Sequence, residues 1–297
     1  MPTKKVINIY KPKLTKKKNV YCAPHNRNNR VSCFSKSSLL KIANEWNKNH
    51  KKKKIPFTTR STSQELWNKI NEKLKKKCYG EWCWIEQDFV KNTLAEDELE
   101  NTFRPKNPKD WCSKKKDWLS TTDIEEVMVQ YEDVYPDFTF IGAVPIDFDE
   151  EFSMGVCVVE ELCKISIAKL LNRGITKVGI VFNLDKHTES GSHWIAMFID
   201  LKKERIYYWD SYGEKPPKEV NSLANRIKAQ GKKMDMKFRY YKNNIRHQYR
   251  NSECGVYCMY FIVKLLQGKT FREIIKNKIK DDDMNVKRGF FYTPNCE

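Results

Sequence analysis

The strongest constraint on this chain is residues 254–266, CGVYCMYFIVKLL, where Lys264 is the only charged side chain. Its length suits a helix, and a helix apolar around most of its circumference belongs in a protein core. It is too short for a membrane, since a spanning helix takes roughly 20 apolar residues, and no other stretch of the chain comes near that length.

What packs around this helix is legible as periodicity. Alternating β-branched and aromatic residues predict strands over 177–182, 193–200, 205–209 and 236–241, with a shorter one over 138–144. The charged stretch 201–204 lies between two of them and predicts a hairpin. Apolar residues three and four apart predict helices over 118–131, 160–171 and 218–229. Strands cluster in the middle and helices flank them, so the fold class is α+β, a central mixed sheet packed by helices.

Charge divides the chain in two. The formal net charge of +18 falls wholly within residues 1–116, where 29 Lys and Arg face 11 Asp and Glu. The remainder balances at zero. Residues 1–35 are expected to be a basic mobile arm and residues 36–116 a basic, mainly helical accessory region. Helices are expected over 38–46 and 63–74, each after a Ser cap. Residues 117–297 form the third unit. Lysine clusters at 16–18, 51–54, 75–77 and 114–116 suit non-specific contact with DNA phosphates. With no apolar segment after the basic N-terminus to serve as a secretory signal, the ten cysteines are expected as reduced thiols inside a cell. Cys22-x2-His25 with Cys33, and Cys78-x4-Cys83, have metal-like spacing, but neither completes a four-ligand set, so no metal site is expected.

Chemistry concentrates at the start of the buried helix. Cys254 follows polar Asn251-Ser252-Glu253, so its thiol faces unpaired N–H groups and the positive end of the helix dipole, which favour thiolate. Gly255 lacks a Cβ and is expected to let a substrate backbone come close. His193 starts a strand at a loop mouth, and Asp210 ends the paired strand. A hairpin makes them neighbours, giving a general base held by a carboxylate. Each alone is ordinary; together with Cys254 they form a Cys–His–Asp set. Gln248, six residues before Cys254, offers an amide that with the Cys254 N–H can stabilise an oxyanion. His247 has no evident carboxylate, and His187 is expected to be an exposed loop residue.

The order His193-Trp194, Asp210-Ser211, then Gln248-x5-Cys254-Gly255 resembles the SUMO-specific and adenovirus-type cysteine proteases. Asp117-Trp118-Leu119-Ser120 is similar to the Trp-Leu segment that opens the SUMO-protease catalytic domain. More narrowly, residues 191–196, 244–248 and 252–255, with Asp281-Asp282-Asp283-Met284, resemble the African swine fever virus type of maturation protease from nucleocytoplasmic large DNA viruses. The resemblance spans roughly residues 117–292. It implies a papain-like cysteine protease core in which Cys254 attacks, His193 moves the proton, Asp210 orients His193 and Gln248 stabilises the oxyanion. It also implies cleavage of precursor proteins after Gly-Gly-like pairs, with Trp194 and Trp118 as substrate-tunnel walls.

The expected function is therefore a thiol endopeptidase of virion assembly that needs no cofactor and acts in the virion and the infected-host cytoplasm. The competing readings are a deconjugase of ubiquitin-like or SUMO-like modifiers, an acyltransferase using the same three groups, and a nucleic-acid-binding virion protein on a vestigial protease fold.

Overall fold

A computed structural model of the protein describes residues 21–28, 31–113, 117–152 and 155–294, leaving out the side chains of Arg27 and Asn28. Residues 1–20 of the expected arm and the 16–18 and 114–116 lysine clusters lie outside these residues.

Among the described residues, five strands form one sheet in the order β1-β2-β3-β4-β5. They are β1 (Phe138–Pro145), β2 (Lys177–Asn183), β3 (Trp194–Asp200), β4 (Arg205–Trp209) and β5 (Arg239–Lys242). The β2–β3 and β3–β4 ladders are antiparallel, while β1–β2 and β4–β5 are parallel, so the sheet is mixed as expected.

Every residue of β3 is buried, and alternation along the strand explains why both sheet faces are covered. Ala196 and Phe198 meet the apolar Cys254–Leu266 helix together with Ile124 and Met128 of the Thr121–Glu132 helix. Ile195, Met197 and Ile199 meet Val220, Leu223 and Ile227 of the Lys218–Lys232 helix on the other face. The apolar helix thus lies inside, where its composition requires.

Two elements depart most from the expectation. Residues 160–171 form two short helices, Glu160–Cys163 and Ile167–Asn172, because the Ser166 hydroxyl accepts from Lys169 N–H and caps a new start. The last strand shortens to Arg239–Lys242, at the sheet edge.

The accessory region has its own core. Leu39, Ile42 and Ala43 of the Lys36–Asn49 helix pack with Leu66, Trp67 and Ile70 of the Ser63–Leu74 helix around Phe34 and Trp84. The caps fall on Ser35 and Thr62, the latter in a reciprocal box with Glu65.

Residues 21–28 and 31–35 are not part of a mobile arm. Cys22, Ala23 and Phe34 are fully buried. The segment is bonded into the structure through Ala23 N–H to Thr102 C=O at 3.1 Å and Arg104 N–H to Tyr21 C=O at 2.8 Å. Polar Asn and Arg residues surround these few apolar anchors in the sequence, which hides them from a periodicity reading.

The expectation of reduced thiols is also revised. Among the described residues, disulfides join Cys22 to Cys33, Cys78 to Cys83 and Cys157 to Cys163. Their Cα–Cα separations of 5.3, 5.4 and 6.3 Å lie within the usual disulfide range. Cys254 and Cys258 are the free cysteines of the described part.

The accessory region docks against the rest of the chain. Thr293 N–H donates to Pro105 C=O at 2.7 Å, and Asn107 N–H to Thr293 C=O at 2.8 Å. Gln130 Nε2 donates to Phe103 C=O at 2.9 Å.

Candidate active site

Three consecutive residues after β4, the loop before the buried helix, and the mouth of β3 converge at one point. His193 immediately precedes β3 and is buried. Its Nε2–H donates to Asp210 Oδ1 at 2.7 Å. The same ring lies beside Cys254, the first residue of the Cys254–Leu266 helix, which helps to raise the imidazole pKa. The structure thus brings together the three residues expected to form the set.

Asp210 is almost fully buried, and its carboxylate is fixed by its own turn. Tyr212 N–H donates to Oδ1 and Glu214 N–H to Oδ2, both at 3.0 Å. Buried charge of this kind requires such donors. Burial alone would push the His193 imidazole toward its neutral form. The hydrogen bond to Asp210 and the neighbouring Cys254 outweigh burial and raise its pKa to about 9. His193 therefore stays an imidazolium at neutral pH beside Cys254.

Gln248 is fully buried. Ser211 Oγ donates to Gln248 Oε1 at 2.6 Å, and the Arg250 carbonyl, which can only accept, fixes the other end of the amide as nitrogen. Gln248 Nε2 donates one hydrogen to Arg250 C=O at 2.7 Å, and its second hydrogen is left for another acceptor. Gln248 N–H and His247 N–H both donate to Ser211 C=O, at 2.9 and 2.8 Å. Asp281 pins the same loop: its Oδ2 accepts from Tyr249 and Arg250 N–H at 2.9 Å. These supporting roles of Ser211 and Asp281 were not legible from spacing, since the groups lie more than 30 residues apart. The acidic run at 281–283 was visible, without its purpose.

Trp194 and Trp118 both line a cavity of about 530 Å³, along with Ser120, Pro145, His187 and Gly191. Trp194 Nε1 donates to Leu119 C=O at 2.9 Å, so the strand that follows His193 is tied to the segment carrying Trp118. Gly191 has φ +93, and a Cβ there would meet Asn183 Nδ2 at 2.7 Å, so the loop reaching His193 requires glycine.

Gly255 does not open toward substrate. A Cβ at this position would lie 2.9 Å from Leu119 Cδ1 and 3.4 Å from Ile124 Cδ1. The space is filled by core packing that seats the helix.

The two other histidines near the site are distinguished by their partners. His187 is an exposed loop residue, as expected, and is tied to Asp147: Nδ1 to Oδ2 at 2.7 Å, and N–H to Oδ1 at 3.0 Å. His247 is buried edge-on to Trp209, and its Nε2 has no hydrogen-bond partner among the described residues. Burial, with Lys278 nearby, lowers its pKa to about 4.

This gives a stability prediction. Unfolded, His247 takes up a proton below pH 6.5; folded, it resists until about pH 4. Stability from this residue is present above pH 6.5 and declines as pH falls toward 4, by roughly 3 kcal/mol at about 1.4 kcal/mol per pKa unit. Urea unfolding of wild type and His247→Phe at pH 7.5 and 4.5 should show a smaller acid loss in the variant. Parallel losses would contradict the assignment.

No helix of the described residues is long and apolar enough to cross a membrane, and no cluster of His, Cys, Asp or Glu among them suits a metal ion.

Comparison with known proteins follows the same lines. The family model of the Ulp1 protease C-terminal catalytic domain matches residues 177–295. The chain is 34% identical over 280 residues to the "Putative thiol protease R355" of Acanthamoeba polyphaga mimivirus, covering 88% of this chain and 89% of that protein. It is 27% identical over 251 residues to the SUMO-1 cysteine protease of African swine fever virus (isolate Warthog/Namibia/Wart80/1980), covering 79% of this chain and 90% of that protein. A crystal structure of the African swine fever virus protease shares the fold, with a TM-score of 0.68 over 92% of this chain and 96% of that one, at 23% identity. Coverage this broad extends the likeness into the accessory region.

Proposed function

The chain belongs to the Ulp1 family of cysteine proteases, and from this premise we propose that it is a viral thiol endopeptidase that cuts structural precursors after Gly-Gly-like pairs during virion maturation. One observation carries the reading: His193 is hydrogen-bonded to Asp210 and lies beside Cys254 at a helix N-terminus. The large DNA viruses that supply the named relatives support the viral setting.

The residues divide the work as follows. Cys254 Sγ attacks the scissile carbonyl carbon, and the carbonyl oxygen becomes an oxyanion. The Cys254 N–H and the uncommitted Gln248 Nε2–H stabilise that charge. His193, protonated beside the thiolate, gives its proton to the leaving amine, and a thioester to Cys254 remains. His193 then takes a proton from water as the water attacks the thioester, which releases the acid and leaves Cys254 as thiolate beside the protonated His193, the state from which the cycle began. Asp210 keeps the imidazole oriented throughout.

Trp118 and Trp194 line one cavity, and Trp194 directly follows His193 in the chain, which supports a role for both as walls of the substrate path. A path walled by two flat indoles would admit glycine and exclude bulky side chains, in keeping with a preference for Gly-Gly. A peptide spanning a Gly-Gly junction should be cut after the second Gly, and Val in that place should lower kcat/KM by about 100-fold. Indifference to Val would contradict the tunnel. Faster reaction with a full ubiquitin-like modifier than with the peptide would favour deconjugation instead.

The lysines of the accessory region serve a second purpose. Lys51 to Lys54 and Lys75 to Lys77 are exposed. They contact DNA phosphates without reading sequence and hold the protease near packaged genome, in the virion and in the infected cytoplasm. DNA affinity should fall steeply with salt, and salt-independent binding would rule this out.

A further inference from the structure

Asp210 and Cys254 meet the edge of the His193 ring and leave it free to roll about the line between them. A contact on the ring face removes this freedom. The Tyr212 ring lies against the imidazole with centroids 4.5 Å apart and planes within 15°. Tyr212 is itself held, by N–H donation to Asp210 Oδ1 at 3.0 Å and O–H donation to Arg250 C=O at 2.9 Å.

The stack continues outward. Arg246 Cζ lies 5.2 Å from the Tyr212 ring centre and 4.9 Å from that of Tyr249. Lys278 Nζ lies 4.7 Å from the Tyr249 ring centre. Cations and aromatic rings thus alternate from His193 to the surface. Arg246 Nε also donates to Gln248 C=O at 2.8 Å, so the ladder touches the oxyanion donor's own backbone.

We propose that Tyr212 and Arg246 are positioning residues, which together hold His193 and Gln248 in one fixed register. The flat Tyr212 face restricts imidazole rotation and attracts the imidazolium through its π-cloud. Arg246, stacked on Tyr212 and bonded to Gln248, sets the amide relative to the ring. A displacement at either end is therefore felt at the other. The inference rests on the roles proposed above for His193 and Gln248, and it adds the residues that align them.

The test uses the full chain with Tyr212→Leu, Tyr212→Phe, Arg246→Met and the Tyr212→Leu/Arg246→Met double variant. Tyr212→Leu should lower kcat on a Gly-Gly peptide by about 10- to 100-fold with KM within about twofold, the size expected for small misplacement of reacting groups. Tyr212→Phe keeps the ring and should retain most of the turnover. The double variant should lose less than the product of the two single losses, since both act on one register. A second readout needs no turnover. The His193 Nε2–H proton, bonded to Asp210, should exchange with water about tenfold faster in Tyr212→Leu and at the wild-type rate in Tyr212→Phe. Wild-type kcat and exchange in Tyr212→Leu would overturn the proposal, and so would a Tyr212→Phe variant as impaired as Tyr212→Leu. If wild type cleaves nothing yet exchange responds as stated, the positioning role stands and the proteolytic reading falls.

Discussion

Cys254→Ala should lower kcat on a Gly-Gly peptide by about 10⁵-fold or more, because no other group can form the acyl intermediate. Its fold should survive. The change removes one buried sulfur at the first turn of the helix, a loss of about 1 kcal/mol when neighbours partly relax. Circular dichroism and a melting temperature within a few degrees of wild type would separate lost chemistry from lost structure. Cys258 is the internal control. It lies one turn further along the same helix and is fully buried, and burial pushes its thiol pKa well up. It stays a neutral packing residue, so Cys258→Ala should keep turnover within about twofold of wild type. Substantial turnover by Cys254→Ala would remove the proposed nucleophile.

His193→Ala should lower kcat by about 10⁴-fold, and Asp210→Asn by about 10²- to 10⁴-fold, with stable folds in both cases. The pH profile carries the mechanistic content. In the folded protein the imidazole pKa is raised to about 9, so the imidazolium is present below that pH and lost as pH rises through it. The alkaline limb of kcat/KM is therefore expected near pH 9 in wild type. Asp210→Asn removes one of the two contacts that oppose burial, so the limb should move down toward neutrality. The same shift contributes stability that is fully present below about pH 6.5 and declines as pH rises through 9. An alkaline limb that stays in place in Asp210→Asn would show that Asp210 does not support the imidazolium.

Local signals in the sequence make much of this site readable. Alternation in 193–200 and 205–209 implied a hairpin, and a hairpin places the residue before one strand near the residue after the next. His193 and Asp210 follow from that rule. The apolar helix marked its own N-terminus, and with it Cys254 and the approach loop of Gln248. What stayed hidden depends on tertiary approach. Ser211 meets Gln248 across 37 residues, and Asp281 meets Tyr249 across 32. Tyr212 is an ordinary turn residue until the ladder sets it on His193. Gly255 was misjudged for a related reason. Its missing Cβ signals close approach, but only packing shows that the approaching group is Leu119. The arm was misjudged because Cys22, Ala23 and Phe34 are isolated anchors without a period. His193, Asp210, Gln248 and Cys254 all lie in the part of the chain whose charges balance, apart from the basic accessory region.

An electrophilic probe tests the central claim most directly. A peptide ending in Gly-Gly with a vinyl methyl ester in place of the scissile bond is incubated with the full chain, and the adduct is located by peptide mass spectrometry. The account predicts one adduct, on Cys254 Sγ, formed quickly in wild type and at least about 100-fold more slowly in His193→Ala. Labelling of another residue, or equal rates in the two proteins, would contradict it.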